Sequence, residues 1–229
     1  MNPSKFFSSI QAKALAIAIC LSLLALSFLE NASPALAHHP MGGKMPSTFF
    51  EGFMSGLAHP VIGLDHLAFI VVIGLFAALK PQGIFIPLSF VLSAMLGAGL
   101  HLLGATLPVV ELIVSASILL FGVLLAIKNS PNLLVMIALS ALAGLFHGYA
   151  YGEAIFGAQT TALVAYLTGF TVIQLVISSA AFFIGQKVLK GDFGQVSPNL
   201  RSAGLVICGI GAAFLASNIS SLILPVPKG

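Results

Sequence analysis

Three titratable residues within eight positions form the strongest chemical signal in this sequence. His59, Asp65 and His66 stand at the start of an apolar stretch, with Pro60 and Gly63 between them. Imidazole nitrogens and carboxylate oxygens are common ligands of divalent transition metals. The proline and the glycine would loosen the backbone here and free carbonyls beside these side chains. The pattern favours a metal site, and the alternative is that Asp65 caps a helix while the histidines hydrogen-bond across helices.

A second group of the same residue types lies further along the chain. His147 and Glu153 flank the run Gly148-Tyr149-Ala150-Tyr151-Gly152, whose glycines permit close helix approach and whose tyrosines could hydrogen-bond the imidazole. Glu111 stands at a predicted helix start, where the helix dipole alone favours a carboxylate. We interpret all three as candidate metal ligands. Glu153 facing water and Glu111 serving only its helix are the open alternatives.

The composition places these groups in a membrane protein. Of 229 residues, 59% are apolar and 7% are charged, against roughly 25% charged in an ordinary soluble domain. A surface with so few charges is one that faces lipid. Nucleic-acid binding is excluded, because the nine Lys and Arg residues are spread singly and form no basic patch.

The first 37 residues have the pattern of a secretory signal peptide. Lys5 and Lys13 precede an apolar stretch over 14–29, and Ala35-Leu36-Ala37 provides a cleavage site. We therefore expect residues 1–37 to be removed, with an uncleaved first transmembrane helix as the alternative.

Cleavage at this site would create a second candidate metal group. His38 and His39 would become the new N-terminus, where a free amine and two adjacent imidazoles can chelate a divalent ion. A polar tail without ligands is the alternative.

The remaining chain, residues 38–229, is predicted to be an all-α, polytopic membrane protein with six transmembrane helices. Each predicted span is an apolar run of about 20 residues, the length that a bilayer core requires. They cover 62–79, 84–103, 108–127, 131–150, 161–186 and 202–224. Residues 38–61 form an outer segment, in which Ser47–Ala58 is predicted as a short surface helix with Ser47 or Thr48 as its N-cap.

Small residues spaced four apart predict where these helices pack closely, because in lipid no hydrophobic effect drives helices together. The pairs are Ser93 with Gly97, Ser140 with Gly144, and Gly204 with Cys208.

The charges predict the orientation in the bacterial cytoplasmic membrane. The mature chain contains seven Lys and Arg residues. If its N-terminus is exported, five of them lie in cytoplasmic loops and two lie outside, which agrees with the positive-inside rule. The inner set is Lys80, Lys128, Lys187, Lys190 and Arg201, and the outer set is Lys44 and Lys228. The mature N-terminus is then periplasmic, and every candidate ligand lies in or above the outer half of the membrane.

With these residues in view, the sequence resembles the HupE/UreJ family of small bacterial membrane proteins, in its cyanobacterial-type branch. The resemblance rests on Gly-Phe-x-x-Gly-x-x-His-Pro-x-x-Gly-x-Asp-His over 52–66, Pro-x-x-Glu over 108–111, and Phe-His-Gly-Tyr-Ala over 146–150. It implies nickel or cobalt uptake. It also implies metal-site roles for a set of five residues: His59, Asp65, His66, Glu111 and His147.

Two positions depart from what this resemblance leads one to expect. Tyr151 stands where the family often has a second histidine, and the fifth span offers Gln174 and Ser178 where many members have a histidine. These positions supply fewer nitrogen ligands than the family pattern, and the number of nitrogen ligands affects which metal a site prefers.

The sequence therefore predicts a secondary transporter, not an enzyme, that imports Ni²⁺ or Co²⁺ and holds no prosthetic group. One alternative is an accessory metal-binding membrane protein that transports nothing. Another is a membrane cytochrome in which His101 and His147 ligate haem, although a lone histidine such as His101 on an apolar face is more typical of packing. The metal ion and the lipid bilayer are the expected partners, and a homo-oligomer stays open.

Overall fold

The computed structural model describes residues 45–189 and 196–223, and every regular element in them is an α-helix. The leader over 1–37 and the candidate ligands His38 and His39 lie outside the described residues. The seven helices are α1 Phe49–Ile62, α2 Leu64–Ala78, α3 Phe85–Leu102, α4 Val110–Ala126, α5 Leu133–Glu153, α6 Thr160–Leu189 and α7 Pro198–Ile223. Helices α2 to α7 coincide closely with the six predicted apolar spans.

An all-helical membrane fold is confirmed, whereas the count of six spans stays a prediction. By length and composition, four helices can cross a bilayer (α3, α5, α6 and α7), and α1 with α2 provides a fifth crossing if the bent pair is one span. Helix α4 is apolar but has 17 residues, slightly fewer than the roughly 20 that a perpendicular span needs.

Helix α1 begins as predicted and extends further than predicted. The Thr48 side chain accepts from the Glu51 backbone N–H while the Glu51 side chain accepts from the Thr48 backbone, which is a capping box. The helix then continues through Pro60 to Ile62, beyond the predicted end at Ala58. One of its faces is buried against α6, because the two helices approach so closely at Gly52 and Gly56 that a Cβ there would overlap the α6 backbone.

The chain bends by 79° between α1 and α2. The break lies at Gly63, whose φ of −71° and ψ of 96° are extended, whereas Pro60 stays inside α1. The Gly63 N–H donates to the His59 carbonyl at 3.0 Å. The break therefore lies at the glycine, whereas Pro60, which has no backbone N–H to donate, loosens α1 without ending it. The bend brings His59 close to the start of α2.

Close pairs of helices form the body of the fold, and small residues lie where they touch. Gly97 of α3 lies against the backbone of Leu145 in α5, and Gly144 of α5 lies against Phe90 and the Ser93 side chain of α3. Ser93 also donates to the Ala141 carbonyl at 2.5 Å. The predicted packing role of these small residues is confirmed.

Helices α4 and α7 also touch at small residues, and they are antiparallel to each other. Gly122 of α4 lies against Cys208, and Gly204 lies against Leu125 and Ala126. The Arg201 side chain closes this end of the pair by donating from Nε to the Ala126 carbonyl at 2.8 Å.

The helix directions place the described cations at one end of the bundle. Helices α2 and α6 run parallel, since Gly74 lies against Ser178 and Gly185 against Ala78. The C-terminal ends of α2, α4 and α6 and the N-terminal end of α7 carry Lys80, Lys128, Lys187 and Arg201. The bend at Gly63 lies at the opposite end, so the candidate ligands are separated from these cations.

Candidate metal site

The structure brings four of the predicted site residues into one buried cluster. His59 from α1, Asp65 and His66 from α2, and His147 from α5 are 2%, 4%, 1% and 0% exposed. The imidazole ring centroids of His59 and His66 lie 5.8 Å apart, and those of His66 and His147 lie 5.0 Å apart. The two strongest sequence signals, more than 80 positions apart, therefore meet in space.

His66 and His147 are joined to a serine that the sequence analysis did not single out. The two Nδ1 atoms lie 2.9 Å apart, and His147 Nε2 lies 3.0 Å from Ser117 Oγ of α4. The Ser117 hydroxyl in turn donates to the Val114 carbonyl at 2.6 Å. The chain of hydrogen bonds links α2, α5 and α4.

His59 is held by a tyrosine that the sequence analysis also missed. Tyr166 of α6 places its hydroxyl 2.8 Å from His59 Nδ1, and the same hydroxyl donates to the Tyr151 carbonyl at 3.0 Å. Tyr166 is fully buried. Its hydrogen bonds tie α1 and α6 to the end of α5.

Tyr151 lies within the cluster, although not in the predicted way. Its ring centroid is 4.3 Å from that of His66 and 5.1 Å from that of His59. Its hydroxyl is buried and has no hydrogen-bond partner among the described residues. The expected hydrogen bond from Tyr149 or Tyr151 to His147 is wrong, because Tyr149 donates to the Ala105 carbonyl at 2.8 Å and His147 bonds other residues.

Asp65 lies in the first turn of α2, where its Oδ1 accepts from the His66 backbone N–H at 2.8 Å. The N-cap residue of α2 is Gly63, which has no side chain, so Asp65 satisfies a donor that would otherwise be orphaned. The structural alternative is thus partly observed: Asp65 supports its helix, and two histidines bond across helices.

An apolar layer lies directly beneath His147, toward the end that carries the cations. The His147 ring centroid is 4.5 Å from that of Phe69 and 5.5 Å from that of Phe90. Phe121 completes the layer at 4.8 Å from Phe69. All three phenylalanines are buried, so the cluster is closed on this side.

The predicted ligands do not form a ready-made metal centre. Among residues 45–189 and 196–223, no three His, Cys, Asp or Glu side chains are arranged to hold an ion together. Glu111 lies exposed in the first turn of α4, and Glu153 lies exposed as the last residue of α5. These two carboxylates lie at the same end of the bundle as the cluster but outside its buried part.

His101 packs away from the cluster. Its ring lies on Tyr149, with centroids 4.5 Å apart, and beside Phe156, with centroids 5.6 Å apart. Helices α3 and α5, which carry His101 and His147, are in backbone contact at Gly148, where a Cβ would overlap the Ala94 carbonyl. Their interface therefore has no room for the porphyrin that the cytochrome alternative requires.

Comparison with known proteins agrees with these features. The sequence profile of the HupE / UreJ protein family matches residues 25–214. Protein HupE from Rhizobium leguminosarum bv. viciae is 32% identical over 188 residues, which cover 80% of this chain and 92% of that protein. No solved structure matches the chain. Since the profile covers most of the chain, this protein belongs to the HupE/UreJ family of membrane metal-transport proteins and is not an enzyme.

Proposed function

We propose that this protein is a secondary transporter that imports a divalent transition-metal ion, Ni²⁺ or Co²⁺, across the bacterial cytoplasmic membrane. The observation that carries the proposal is the burial of Asp65 together with His59 and His66 at the break between α1 and α2. Asp65 is the one buried carboxylate among the described residues.

Burial of this carboxylate needs a reason beyond helix capping. An acidic side chain at bilayer depth costs about 2.5 to 3.5 kcal/mol on the insertion scale, whereas a favourable charge at a helix N-terminus is worth about 0.3 to 1 kcal/mol. A divalent ion held by Asp65 and the two imidazoles would offset the difference once the three side chains have moved together around it, since it neutralises the carboxylate and is bound by neutral nitrogens. His147, in contact with His66, belongs to the same site.

The exposed groups at this end are proposed as capture ligands. Glu111 and Glu153 lie exposed at the same end of the bundle as the cluster, and the mature N-terminus would add His38 and His39. Weak, exposed ligands can exchange an ion quickly before it enters the buried site.

Passage toward the other end requires movement, because Phe69, Phe90 and Phe121 close the cluster from below. The membrane potential supplies about 2.3 kcal/mol per elementary charge per 100 mV, and so about 4.6 kcal/mol for a divalent ion. The direction of import follows from the proposed orientation, with the cluster periplasmic and the cationic end cytoplasmic.

Uptake by proteoliposomes tests the function. Proteoliposomes that contain the purified protein should accumulate radiolabelled Ni²⁺ or Co²⁺ when their interior is made negative. Proteoliposomes that contain the His101→Gln variant should do the same. Binding without accumulation by the native protein would favour the accessory-protein alternative. A reduced-minus-oxidised optical spectrum that shows a haem band would favour the cytochrome alternative.

Cysteine labelling tests the orientation. Asn129 is exposed in the loop between α4 and α5, so N129C in a Cys208→Ser background should resist an impermeant maleimide applied to intact cells. Labelling from the periplasm would place the His cluster on the cytoplasmic side and reverse the proposed direction.

A further inference from the structure

An open groove lies between α2, α6 and α7, away from the histidine cluster. Helix α2 contributes Val71 and Leu75, α6 contributes residues within 177–188, and α7 contributes residues within 199–203. The groove exists because α6 and α7 make few contacts with each other. Its volume is about 360 Å³, and pockets of about 300 to 1,000 Å³ hold small organic ligands. The groove is therefore large enough to bind a molecule.

The lining of the groove favours a hydrocarbon occupant. Among the described residues that line it, all but Asn199 are apolar. Ile184, on its α6 wall, is 59% exposed, and both α6 and α7 are long and apolar enough to cross a bilayer. An exposed apolar surface on such helices faces the hydrocarbon core of the membrane. The molecules that reach this groove from the side are therefore lipids.

The length and the level of the groove match one leaflet. Along α6 it extends from Ile177 to Val188, which is about 16 Å along a helix axis. One leaflet supplies about 15 Å of hydrocarbon, half of a typical bilayer core. Helices α2 and α6 are parallel, so Ile177 lies near the middle of the bundle and Val188 near the end that carries the cations. The groove can thus hold an acyl chain along its full depth.

The open end of the groove is polar and positively charged. Asn199 lies exposed in the first turn of α7, and the N-terminal end of a helix carries a partial positive charge. Lys187 is exposed and follows Ile184 by three residues and Ala180 by seven, so it shares their face of α6. The acidic residues among the described part of the chain all lie toward the opposite end of the bundle: Glu51, Asp65, Glu111 and Glu153. This end therefore favours an anionic headgroup.

We propose that the groove binds one anionic phospholipid from the leaflet at the cationic end, with an acyl chain between α6 and α7 and its phosphate near Lys187 and Asn199. The acyl chain would supply contacts that α6 and α7 do not make with each other, so the lipid would stabilise the packing of α7. The proposal does not depend on metal transport, and it holds for either orientation of the protein in the membrane.

Native mass spectrometry of the detergent-purified protein counts the lipids that each chain binds. The protein is titrated with phosphatidylglycerol, which is anionic, or with phosphatidylcholine, which has no net charge. We expect one phosphatidylglycerol to bind before any other lipid. It should bind about fivefold more tightly than phosphatidylcholine, which is the effect of one lysine beside an anionic lipid surface. Equal affinity for the two lipids, or gradual binding without a first tight site, would overturn the proposal.

Variants that fill the groove test its location. Ala180→Phe and Ala203→Phe add a ring from opposite walls, and each should remove the species with one bound lipid. Ala216→Phe is the matched control, because it adds the same ring at an exposed alanine of α7 that does not line the groove. Lipid binding by the groove variants, or equal loss of lipid in the control, would overturn the assignment.

Thermal denaturation gives a second measurement and shows whether each variant folds. A ligand that binds only the folded state stabilises it. Phosphatidylglycerol should therefore raise the denaturation temperature of the native protein and of Ala216→Phe, but not that of Ala180→Phe or Ala203→Phe. An equal rise in all four proteins would contradict a site in the groove.

A charge variant tests the headgroup separately from the acyl chain. Lys187→Gln leaves the apolar walls intact, so it should still bind one lipid but lose the preference for phosphatidylglycerol. Lys128→Gln removes a cation at the same end of the bundle that does not line the groove, and it should keep the preference. Equal loss in the two variants would show a general attraction of this end for anionic lipids and overturn the proposed headgroup contact.

A second copy of this chain is the alternative occupant, and the same spectra test it. One lipid per chain, in a monomer or in a dimer, supports the proposal. A dimer that excludes lipid and dissociates in Ala180→Phe would overturn it.

Discussion

Two histidines of this protein, His147 and His101, both lie against aromatic rings, but their polar surroundings differ. Both nitrogens of His147 are within hydrogen-bond distance of a side chain from another helix. The His101 ring lies edge-on against Tyr149, at the same centroid distance of 4.5 Å as that between His147 and Phe69, yet its buried Nδ1 has no partner among the described residues. Contact with aromatic rings therefore does not separate these two histidines. They differ in the hydrogen-bond chain across helices in which His147 takes part.

The largest effect is expected from Asp65→Asn, which keeps the side-chain shape and removes the one buried negative charge of the cluster. Since losing a group that merely orients a ligand already weakens metal binding by about 10- to 100-fold, losing this charged ligand should weaken Ni²⁺ affinity by at least about 100-fold. Calorimetry measures the loss of Ni²⁺ binding, and uptake by vesicles measures the loss of transport. A variant that still transports normally would show that Asp65 serves only the first turn of α2.

Affinity should also depend on pH, because protons compete with the metal for imidazole nitrogens. An unperturbed imidazole has a pKa near 6.5. As the pH falls from roughly 7 to 5.5, affinity should decrease by up to about tenfold per pH unit for each imidazole that must lose a proton.

A carboxylate-only site would behave differently, since Asp and Glu side chains become protonated at about pH 4 to 5. Titration with Ni²⁺ at several pH values separates the two cases. Affinity that stays flat between about pH 7.5 and 5.5 would show that His59 and His66 are not ligands.

A smaller effect is expected from Gly63→Ala at the bend. The backbone angles of Gly63 suit any residue, but an added Cβ would lie 2.8 Å from His66 Cδ2 and 3.1 Å from Asp65 Oδ1. The site must shift, so Ni²⁺ affinity should fall by about tenfold, or about 1.4 kcal/mol, with the fold retained. Gly99→Ala is the matched control, since nothing lies within 4 Å of its added Cβ. Equal affinities in the two variants would contradict the role of the bend.

The smallest effect is expected from His101→Gln. A side chain whose contacts are aromatic packing should change stability by about 0.5 kcal/mol and leave Ni²⁺ affinity unchanged. Uptake and thermal denaturation of the purified variant test this. Loss of transport in His101→Gln, with Asp65→Asn active, would reverse the distinction between the two regions.

Much of this architecture could be predicted from local sequence. Apolar runs gave helix positions, Thr48 and Glu51 marked a helix start, and small residues such as Gly144 and Gly97 marked close contacts. The grouping of His147 with His66 was also predictable. Ionisable side chains have a high free-energy cost inside a membrane, and those near the same membrane face lower it by sharing one polar site.

The partners of these histidines could not be predicted. Nothing in the local sequence distinguishes Ser117 or Tyr166 from other serines and tyrosines in apolar helices. The contact between Tyr166 and His59 also joins positions 107 apart in the chain. It depends on the direction of the bend at Gly63 and on the packing of α1 against α6, neither of which has a local sequence signal.

The outward side of α1 makes the position of His59 sensitive to the lipid or detergent around the protein. Phe49, Phe50 and Met54 are 56%, 71% and 44% exposed on the helix that carries His59 on its buried side. These apolar side chains need a hydrocarbon environment, so the surrounding lipid helps to hold α1 against α6 and His59 beside Tyr166. A detergent that solvates α1 differently would change the ligand geometry without any mutation. Metal affinities in micelles and in nanodiscs should therefore differ, and the difference should shrink when His59 is replaced.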